Sequence, residues 1–231
     1  MNKKEFNPGL LHPYYFIRKG LFRSMQKYSS LLNGRLLDFG CGSKPYRSLF
    51  KVDEYVGVDF ENEGHPHDNE QIDVFYDGKS LPFPDNSFDS VLTSEVFEHI
   101  FNLPDIIKEL SRVLRPGGKI LITCPFLWKE HELPHDYARY TLFALRDMLH
   151  NNGFTTRVSD KSGNFIQVIT QLTVLYFFDT FYSKVQRIPI IKNIFEFIFF
   201  FGFNVIGFVA DKILPTKKQV YFNNIIVAEK C

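Results

Sequence analysis

The chain has 231 residues and a mass of 27.1 kDa, which suits one domain or one domain with a sizeable insertion. Its 27 Lys and Arg residues nearly balance its 26 Asp and Glu residues, which disfavours a nucleic-acid-binding protein that relies on a broad basic surface. Cys41, Cys124 and Cys231 show no framework spacing, and residues 1–9 lack an apolar signal core. We therefore expect neither a disulfide scaffold nor secretion, but a protein of the reducing cytoplasmic compartment.

Residues 14–32 have the pattern of an amphipathic helix. Apolar residues recur every three or four positions, at Ile17, Leu21, Met25, Tyr28 and Leu32. Basic residues lie between them. Two interpretations stay open: a helix packed on a core with a solvated basic face, or a basic helix lying near a membrane or over an active site.

Short strand patterns then alternate with helices. Strands are predicted at 35–39, 55–59, 72–76, 88–93, 119–124, 154–158 and 221–228. Helices are predicted at 103–114 and 141–152, and Gly153 ends the second of them. The polar segment 61–71 predicts a loop in place of a crossover helix. The alternation predicts an α/β fold with a doubly wound, mostly parallel sheet and helices on both faces.

The segment 37–45, LDFGCGSKP, carries the strongest signal for a ligand. Its Gly-x-Gly follows a buried strand, and such glycines let the backbone turn sharply and approach a bound molecule. A tight turn without a ligand is the structural alternative. Asp59 ends the next strand, where a carboxylate can accept both hydroxyls of a ribose. Pro45 stands where a dinucleotide fingerprint needs a third glycine, so S-adenosylmethionine, which has a ribose but no phosphate, fits better.

Four segments, LDFGCG, YVGVDF, YDGKSLPFPDNSFDSVLTSEVFEHI and LRPGGKILIT, together resemble a class I S-adenosylmethionine-dependent methyltransferase of the type 11 methyltransferase domain family. The resemblance covers residues 36–124 and implies a seven-stranded sheet, Rossmann-like, with its last strand antiparallel. It also implies the residues that contact S-adenosylmethionine: Asp38, Gly40 and Gly42 at the methionyl part, Asp59 at the ribose, Asp77 and Gly78 at the adenine, and Ser94 and Glu95 along the methionyl side.

The loop 125–140, PFLWKEHELPHDYARY, follows the fifth strand and should face the methyl donor. It mixes aromatic and hydrogen-bonding side chains, which suits a polar, ring-shaped acceptor such as a sugar. His131 and His135 are candidate general bases, and Asp136 is positioned to orient one of them. The alternative is a network that only orders the loop. His65, His67 and Asp68 add further metal-ligand types, but no confirming ligand spacing accompanies them, so no metal site is predicted.

The Glu-His and Pro-His-Asp-Tyr-Ala-Arg-Tyr-Thr motifs of this loop resemble, more weakly, methyltransferases that accompany bacterial surface-glycan synthesis. The resemblance bears on the acceptor only, and we expect O-methylation of a sugar or a lipid-linked glycan intermediate. Two alternatives stay open. One is a methyltransferase for a free lipid or quinone-like small molecule. The other is a non-catalytic, membrane-associated protein that binds S-adenosylmethionine.

About sixty residues separate the last two strands, where the fold needs only a short connection. Residues 165–178 are mostly apolar, and residues 197–210 contain no charge. Lys184, Arg187 and Lys192 lie between these runs. We expect a hairpin seated in one leaflet of an anionic membrane, with peripheral contact through 165–214 at the inner face. A true span, a domain cap and a dimer interface are the alternatives.

These patterns divide the chain into four segments. They are an N-terminal amphipathic helix (1–33), a methyltransferase core that binds S-adenosylmethionine (34–160), an apolar helical insertion (161–219) and the last strand of the core (220–231). The oligomeric state is left undetermined by the sequence.

Overall fold

A single sheet organises the computed structural model, which describes residues 6–60 and 72–231. Its strands are β1 (Arg35–Phe39), β2 (Glu54–Phe60), β3 (Val74–Tyr76), β4 (Phe88–Ser94), β5 (Leu114–Pro125), β6 (Phe154–Ser162) and β7 (Asn223–Lys230). They lie in the order β3-β2-β1-β4-β5-β7-β6. The pairs β3-β2, β2-β1, β1-β4 and β4-β5 are parallel, and β7 runs antiparallel to β5. The predicted α/β, Rossmann-like fold is confirmed, whereas the loop predicted at 61–71 lies outside the described residues.

Helices flank the sheet and fill the connection before its last strand. They are α1 (Tyr15–Tyr28), α2 (Leu103–Val113), α3 (Leu142–Asn151), α4 (Phe165–Phe177), α5 (Ser183–Val185), α6 (Pro189–Phe195) and α7 (Phe203–Ile213). π-Helical turns lead from α4 to α5 and from α6 to α7. Because the second turn is continuous with its neighbours, Pro189–Ile213 forms one helix of 25 residues. The apolar helical insertion before the last strand is therefore present.

Local sequence explains how the helices near the strand ends form. In α2 one face is fully buried, by Leu103, Ile106, Ile107, Leu110 and Val113. Its apolar spacing of three and four residues is the reason that this segment folds as a helix on the sheet. The hydroxyl of Thr141 caps α3 by accepting a hydrogen bond from the Ala144 N–H at 3.2 Å. Gly153 follows α3 with a φ of 83°, the left-handed conformation predicted for it.

The start of β5 differs from the sequence prediction. The sequence predicts a strand at 119–124, but the strand already begins at Leu114. Leu114 pairs with Phe88 and Lys119 with Ser90, so the register shifts and the Pro-Gly-Gly segment bulges within the strand. Gly117, with a φ of 76°, permits this bulge.

The contacts divide the chain into two compact units. The sheet unit comprises the described residues of 24–160 together with 223–231, and the helical unit comprises residues 161–222 and the described N-terminal residues up to 23. The sheet unit has a large apolar core built from the strands, α2 and α3. The helical unit has its own smaller core, of Val174, Phe195 and Phe200 with phenylalanines packed around them.

Buried amide side chains hold the helical unit together. Gln171 accepts a hydrogen bond from the Phe16 N–H at 3.1 Å and donates one to the Pro13 carbonyl at 2.5 Å. Asn204 donates to the Leu10 carbonyl at 2.8 Å. A Cβ at Gly207 would run into the side chain of Thr170, so α4 and α7 approach each other closely there. Two polar residues of the apolar insertion, Gln171 and Asn204, are therefore fully buried within the unit.

The outer faces of the same helices are apolar. On α4 the exposed side chains are Phe165, Ile169, Leu172 and Tyr176. On the helix Pro189–Ile213 the large exposed apolar side chains are Ile190, Ile191, Ile194, Phe197, Ile198, Ile206, Val209 and Ile213. We call these two sets the apolar stripe. In the part of the chain that the structure describes, Pro189–Ile213 has the length and composition needed to cross a membrane, and 22% of its most apolar stretch is buried.

Candidate active site

The glycine turn after β1 lies at the edge of the sheet where the parallel strands end. Gly40 and Gly42 have φ values of 70° and 44°. The Gly40 N–H donates to the Val58 carbonyl of β2 at 2.9 Å, which fixes the turn beside the end of that strand. A Cβ at Gly40 would collide with the side chain of Val96. Both the dihedral angles and the close approach therefore require glycine at position 40.

Asp59, at the end of β2, organises this turn. Its Oδ2 accepts a hydrogen bond from the Gly42 N–H at 2.7 Å, and its Oδ1 accepts one from the Phe60 N–H at 2.8 Å. The carboxylate thus links the ends of two neighbouring parallel strands. In open α/β sheets ligands bind at this edge, in the crevice beyond the carboxyl ends of the strands.

A cavity of about 160 Å³ opens at this edge. Its lining residues are Phe39, Gly40, Gly42, Asp59, Phe60, Tyr76, Glu95, Val96, His99, Ile100 and Glu132. The structure therefore brings four of the predicted cofactor residues, Gly40, Gly42, Asp59 and Glu95, to one cavity. The other four, Asp38, Asp77, Gly78 and Ser94, are not among its described lining residues.

Asp38 and Asp77 are occupied by contacts of their own. Asp38 is buried in β1 and accepts a hydrogen bond from the Tyr55 hydroxyl at 2.5 Å. Burial raises the pKa of Asp38 to about 7, although the Tyr55 hydrogen bond opposes this. Asp77 is exposed and accepts hydrogen bonds from the N–H groups of Ser80, at 2.7 Å, and Lys79, at 2.9 Å, and these bonds lower the pKa of its carboxyl.

Gly78 and Ser94 have structural partners as well. Gly78 has a φ of 77°, and a Cβ there would lie 3.0 Å from the ring of Phe60, which lines the cavity. Ser94 ends β4, and its hydroxyl lies 3.0 Å from that of Thr123. Both residues therefore support side chains or strands next to the cavity.

Two glutamates after β4 lie beside the cavity, Glu95 half-buried in its lining and Glu98 buried behind it. Glu95 has a φ of 57°, and its Oε2 accepts a hydrogen bond from the Asn223 amide at 2.5 Å. Glu98 is fully buried, with 0% of the residue exposed. Burial raises the pKa of both carboxyls, and the neighbouring charge of Glu95 adds to the rise at Glu98. Non-glycine residues in the left-handed region cost about 1–3 kcal/mol, and such strain concentrates at functional sites.

The predicted catalytic residues of the loop 125–140 lie in two different surroundings. Asp136 Oδ1 and Oδ2 accept hydrogen bonds from Arg139 at 2.5 and 2.6 Å, and Oδ2 also accepts one from the His131 N–H at 2.9 Å. Burial by itself raises the pKa of Asp136, but these hydrogen bonds outweigh it and lower the pKa to about 2. The ring of His135 instead faces outward, with Nδ1 3.0 Å from the Tyr137 hydroxyl.

His131 lies closer to the cavity residues than His135 does. Its ring packs edge-on against His99, with centroids 4.7 Å apart. Burial and the neighbouring His99 lower the pKa of His131, so its imidazole is neutral at pH 7. The structure therefore places the three predicted catalytic residues in one loop, with His131 and Asp136 in contact and His135 apart from them.

Sequence reasoning missed Glu98 and His99. They lie in a 3-10 turn, Phe97–His99, directly after β4. His99 lines the cavity, and ligand atoms of Glu98, His99 and His131 all lie within 4.8 Å of one another. The sequence does contain a signal for this part of the site: a Glu-His pair that begins four residues past the end of a parallel strand. Without the burial of Glu98, the pair looks like an ordinary solvated turn.

Comparison with known proteins identifies the class. Residues 37–122 match the methyltransferase domain family. The chain is 33% identical over 114 residues to the fatty-acid O-methyltransferase of Mycolicibacterium smegmatis, an alignment that covers 45% of this chain and 41% of that protein. It is 28% identical over 169 residues to the O-methyltransferase rstn1 of Aspergillus nomiae, which covers 60% of this chain and 73% of that protein.

A solved structure agrees in fold. Phosphoethanolamine N-methyltransferase 2 of Haemonchus contortus, in complex with phosphomonomethylethanolamine and S-adenosylhomocysteine, superposes with a TM-score of 0.53 at 17% identity. The match covers 92% of this chain and 52% of that one. Residues 37–122 therefore form a methyltransferase domain similar to those of class I S-adenosylmethionine-dependent methyltransferases, whose cofactor is S-adenosylmethionine. The chain spans less than half the length of the first curated relatives that it matches.

Proposed function

We propose that this chain transfers the methyl group of S-adenosylmethionine to an oxygen atom of a sugar or a lipid-linked glycan intermediate. One observation carries the proposal: a single cavity joins the glycine turn and Asp59 to His99 and Glu132. A methyl donor and groups that can position and deprotonate a hydroxyl are both needed for O-methylation. In the transfer, the acceptor oxygen bonds to the methyl carbon while the sulfur–methyl bond breaks, and the bonding pair stays on sulfur.

In this proposal Gly40 and Gly42 face the methionyl part of the cofactor, and Asp59 accepts hydrogen bonds from the ribose hydroxyls. The positive φ values of both glycines support this role. Asp38 acts from beneath the turn through Tyr55, and Asp77 with Gly78 shapes the edge where the adenine would lie. Ser94 and Glu95 would line the methionyl side, with Glu95 exposed to the cavity.

The acceptor would lie beside the loop 125–140. Its Asp136–Arg139 pair fixes the loop, and His131 packs against His99, which lines the cavity. Two relatives named as O-methyltransferases support transfer to oxygen. The relative named as a fatty-acid O-methyltransferase favours a free lipid as the second candidate acceptor.

We further propose that the apolar stripe seats the chain on the cytoplasmic face of an anionic membrane. Ile190 and Phe197 are 74% and 61% exposed, so most of the surface of each residue is not packed within the unit. An exposed apolar face of this extent marks a membrane or protein contact. Lys184, Arg187 and Lys192, in the same unit, add attraction to anionic headgroups. Membrane contact suits an acceptor that is itself attached to a lipid.

Transfer of a labelled methyl group tests the proposal. Full-length protein is incubated with labelled S-adenosylmethionine and a membrane-containing lysate, which is then separated into lipid, lipid-linked glycan, free glycan and small-molecule fractions. We expect label in a glycan-containing fraction, stable to mild base, as an ether is. Label in the free-lipid fraction that mild base releases would favour the fatty-acid alternative. Cofactor binding without label in any fraction would contradict the proposed activity.

A further inference from the structure

Three side chains of metal-ligating types converge beside the cavity, within the described part of the chain. Glu98 Oε1 lies 3.7 Å from His99 Nε2 and 3.9 Å from His131 Nε2. Glu98 and His99 come from the turn after β4, and His131 comes from the loop after β5. Because β4 and β5 are parallel neighbours, their carboxyl ends bring these segments together.

Glu98 is the unusual member of this cluster. The residue is 0% exposed, and neither of its carboxylate oxygens has a hydrogen-bond partner. Its backbone carbonyl accepts hydrogen bonds from the N–H groups of Tyr137, at 2.8 Å, and Ala138, at 3.3 Å, which tie the backbone of Glu98 to the loop 125–140. A buried carboxyl without partners is costly, and pairing with a cation is one of the ways in which proteins offset that cost.

Both imidazoles place Nε2 within 4 Å of Glu98 Oε1, and in His99 that nitrogen is unprotonated. His99 Nδ1 donates to the His135 carbonyl at 2.7 Å, which assigns the proton of the neutral ring to Nδ1. His131 Nδ1 lies 3.3 Å from Asp136 Oδ2, and Arg139 clamps that carboxylate. Metal-bound histidines are oriented in this way, through a carbonyl or a carboxylate on the other ring nitrogen.

The cluster also has an open side. His99 and Glu132 line the cavity, and Glu132 Oε2 lies 3.7 Å from His99 Nε2. Ligand atoms in a tetrahedral zinc site lie about 3.3 Å apart, since zinc bonds to nitrogen and oxygen are about 2.0–2.2 Å long. The two separations from Glu98 Oε1 exceed this by roughly half an ångström, and all three ligand atoms lie within 4.8 Å of one another, so side-chain rotation would have to close the site around an ion.

We propose that Glu98, His99 and His131 bind one divalent cation of the first transition series, with its open position toward the cavity. Two imidazoles and one carboxylate suit Zn²⁺, Co²⁺ or Mn²⁺ better than Mg²⁺ or Ca²⁺. The further role of the ion rests on the proposed function: it would bind the acceptor hydroxyl and lower its pKa. The hydroxyl proton would then pass to Glu132, and His131 would serve as a ligand.

Metal binding is measured without methyl donor or acceptor. Full-length protein is stripped with a chelator, and ZnCl₂ is titrated into it by calorimetry; in parallel, CoCl₂ is titrated and its visible absorption recorded. We expect one ion per chain for the wild type. Glu98→Gln, which preserves shape, and His131→Ala should each weaken binding more than the ~10–100-fold typical of losing an outer partner. His150→Ala, an exposed histidine of α3, is the matched control and should bind as the wild type does.

Three outcomes decide the proposal. No zinc binding by the folded wild type, or equal binding by all variants, would overturn it and leave Glu98 as a buried protonated carboxyl. Should Glu98→Gln fail to fold, His131→Ala carries the test, because 29% of that side chain is exposed. Methyl transfer at full rate in a chelator, by metal-free protein, would overturn the proposed role of the ion but not the proposed function. Zinc binding without any methyl transfer would support the metal site but overturn the proposed function.

Discussion

Asp59 holds the glycine turn and faces the cavity at the same time, so its substitution tests the proposed ribose contact. Asp59→Ala should weaken S-adenosylmethionine binding by about 1.5–3 kcal/mol, the value of hydrogen bonds to a charged group. The loss has two sources: the proposed hydrogen bonds from the ribose hydroxyls to Asp59, and the hydrogen bond that Asp59 accepts from the Gly42 N–H. Asp59→Asn keeps an acceptor for Gly42 and should lose less. Calorimetry with S-adenosylmethionine measures both, and unchanged affinity in a folded Asp59→Ala variant would contradict the assignment.

His131 and His135 should differ in their importance for turnover. His131 packs against His99 beside the cavity, whereas the His135 ring lies outward against Tyr137. His131→Ala should therefore lower the rate of methyl transfer by about 10²-fold or more and leave cofactor affinity nearly unchanged. His135→Ala should have a much smaller effect, because the carbonyl that holds His99 remains. Steady-state rates and cofactor affinities of both variants check this, and near-normal rates for both would leave the loop with an ordering role only.

Asp38 should make stability depend on pH. Its pKa is raised in the folded protein, from 3.8 to about 7, so the folded state retains a proton that the unfolded state has lost. The free energy of unfolding should therefore fall as the pH rises from about 4 to about 7, by roughly 2–4 kcal/mol from this group. Asp38→Asn, whose amide oxygen can still accept from Tyr55, should lack this part of the slope. Denaturant unfolding of both proteins at pH 5 and pH 8 measures the difference, and identical slopes would refute it.

At the scale of elements, short-range chemistry made much of the fold predictable. The spacing of apolar residues in α2, the glycine after α3 and the alternation of strands with helices are all local signals. The Gly-x-Gly turn and Asp59 were predictable as a pair because consecutive parallel strands end at the same edge. The bulge at Pro116–Gly118 was missed because the same residues also form turns, and only the pairing of Leu114 with Phe88 decides between them.

The candidate site was less predictable than the fold. The family resemblance implies that Asp38 contacts the cofactor, but only the structure shows that its carboxylate also accepts a hydrogen bond from Tyr55. Glu98 and His99 were missed because their importance depends on burial beneath a loop more than thirty residues later in the chain. Long-range packing of this kind leaves no period or motif in a single sequence.

Replacing a glycine by alanine adds a methyl group, which can cause conformational strain and a steric collision. Two glycines of this chain separate these effects. Gly40 and Gly117 have nearly the same φ, 70° and 76°, but a Cβ at Gly40 collides with Val96 while one at Gly117 meets nothing within 4 Å. Gly117→Ala should therefore cost only the conformational strain, about 1 kcal/mol, whereas Gly40→Ala should cost more. Gly40→Ala alone should weaken S-adenosylmethionine binding. Thermal unfolding and calorimetry check both expectations, and equal effects of the two variants would mean that the close approach is unimportant.

At the scale of the whole molecule, the two units have different proposed roles, methyl transfer and membrane contact. The sheet unit contains every residue that lines the cavity, and the helical unit contains the apolar stripe. The amides Gln171 and Asn204 tie the insertion to the N-terminal segment within the helical unit. Excising residues 165–214 would leave the backbone groups at Pro13 and Leu10 without these partners. Substitutions on the outer face are therefore a cleaner test of membrane contact than a deletion.

Membrane association should depend on the apolar stripe and not on exposed apolar residues in general. Full-length protein should sediment with vesicles that contain anionic lipid, and Ile190→Glu combined with Phe197→Glu should abolish this, because each apolar side chain buried in lipid contributes on the order of 1–2 kcal/mol. Phe143→Glu is the matched control, since Phe143 is 76% exposed on α3 of the sheet unit. Its variant should bind vesicles as the wild type does.

Charge and self-association separate the membrane from its alternative, a contact between two copies of the chain. Reversing Lys184, Arg187 and Lys192 should weaken vesicle binding by about 1 kcal/mol for each residue near the surface, and the loss should shrink at high salt because counterions screen the attraction. A dimer interface predicts a different result. Light scattering would show a wild-type dimer, which Ile190→Glu with Phe197→Glu converts to a monomer. The protein would then not bind vesicles of any composition. Because apolar burial drives both associations, the effect of Ile190→Glu with Phe197→Glu does not by itself separate them, whereas vesicle binding that weakens on charge reversal identifies lipid as the partner.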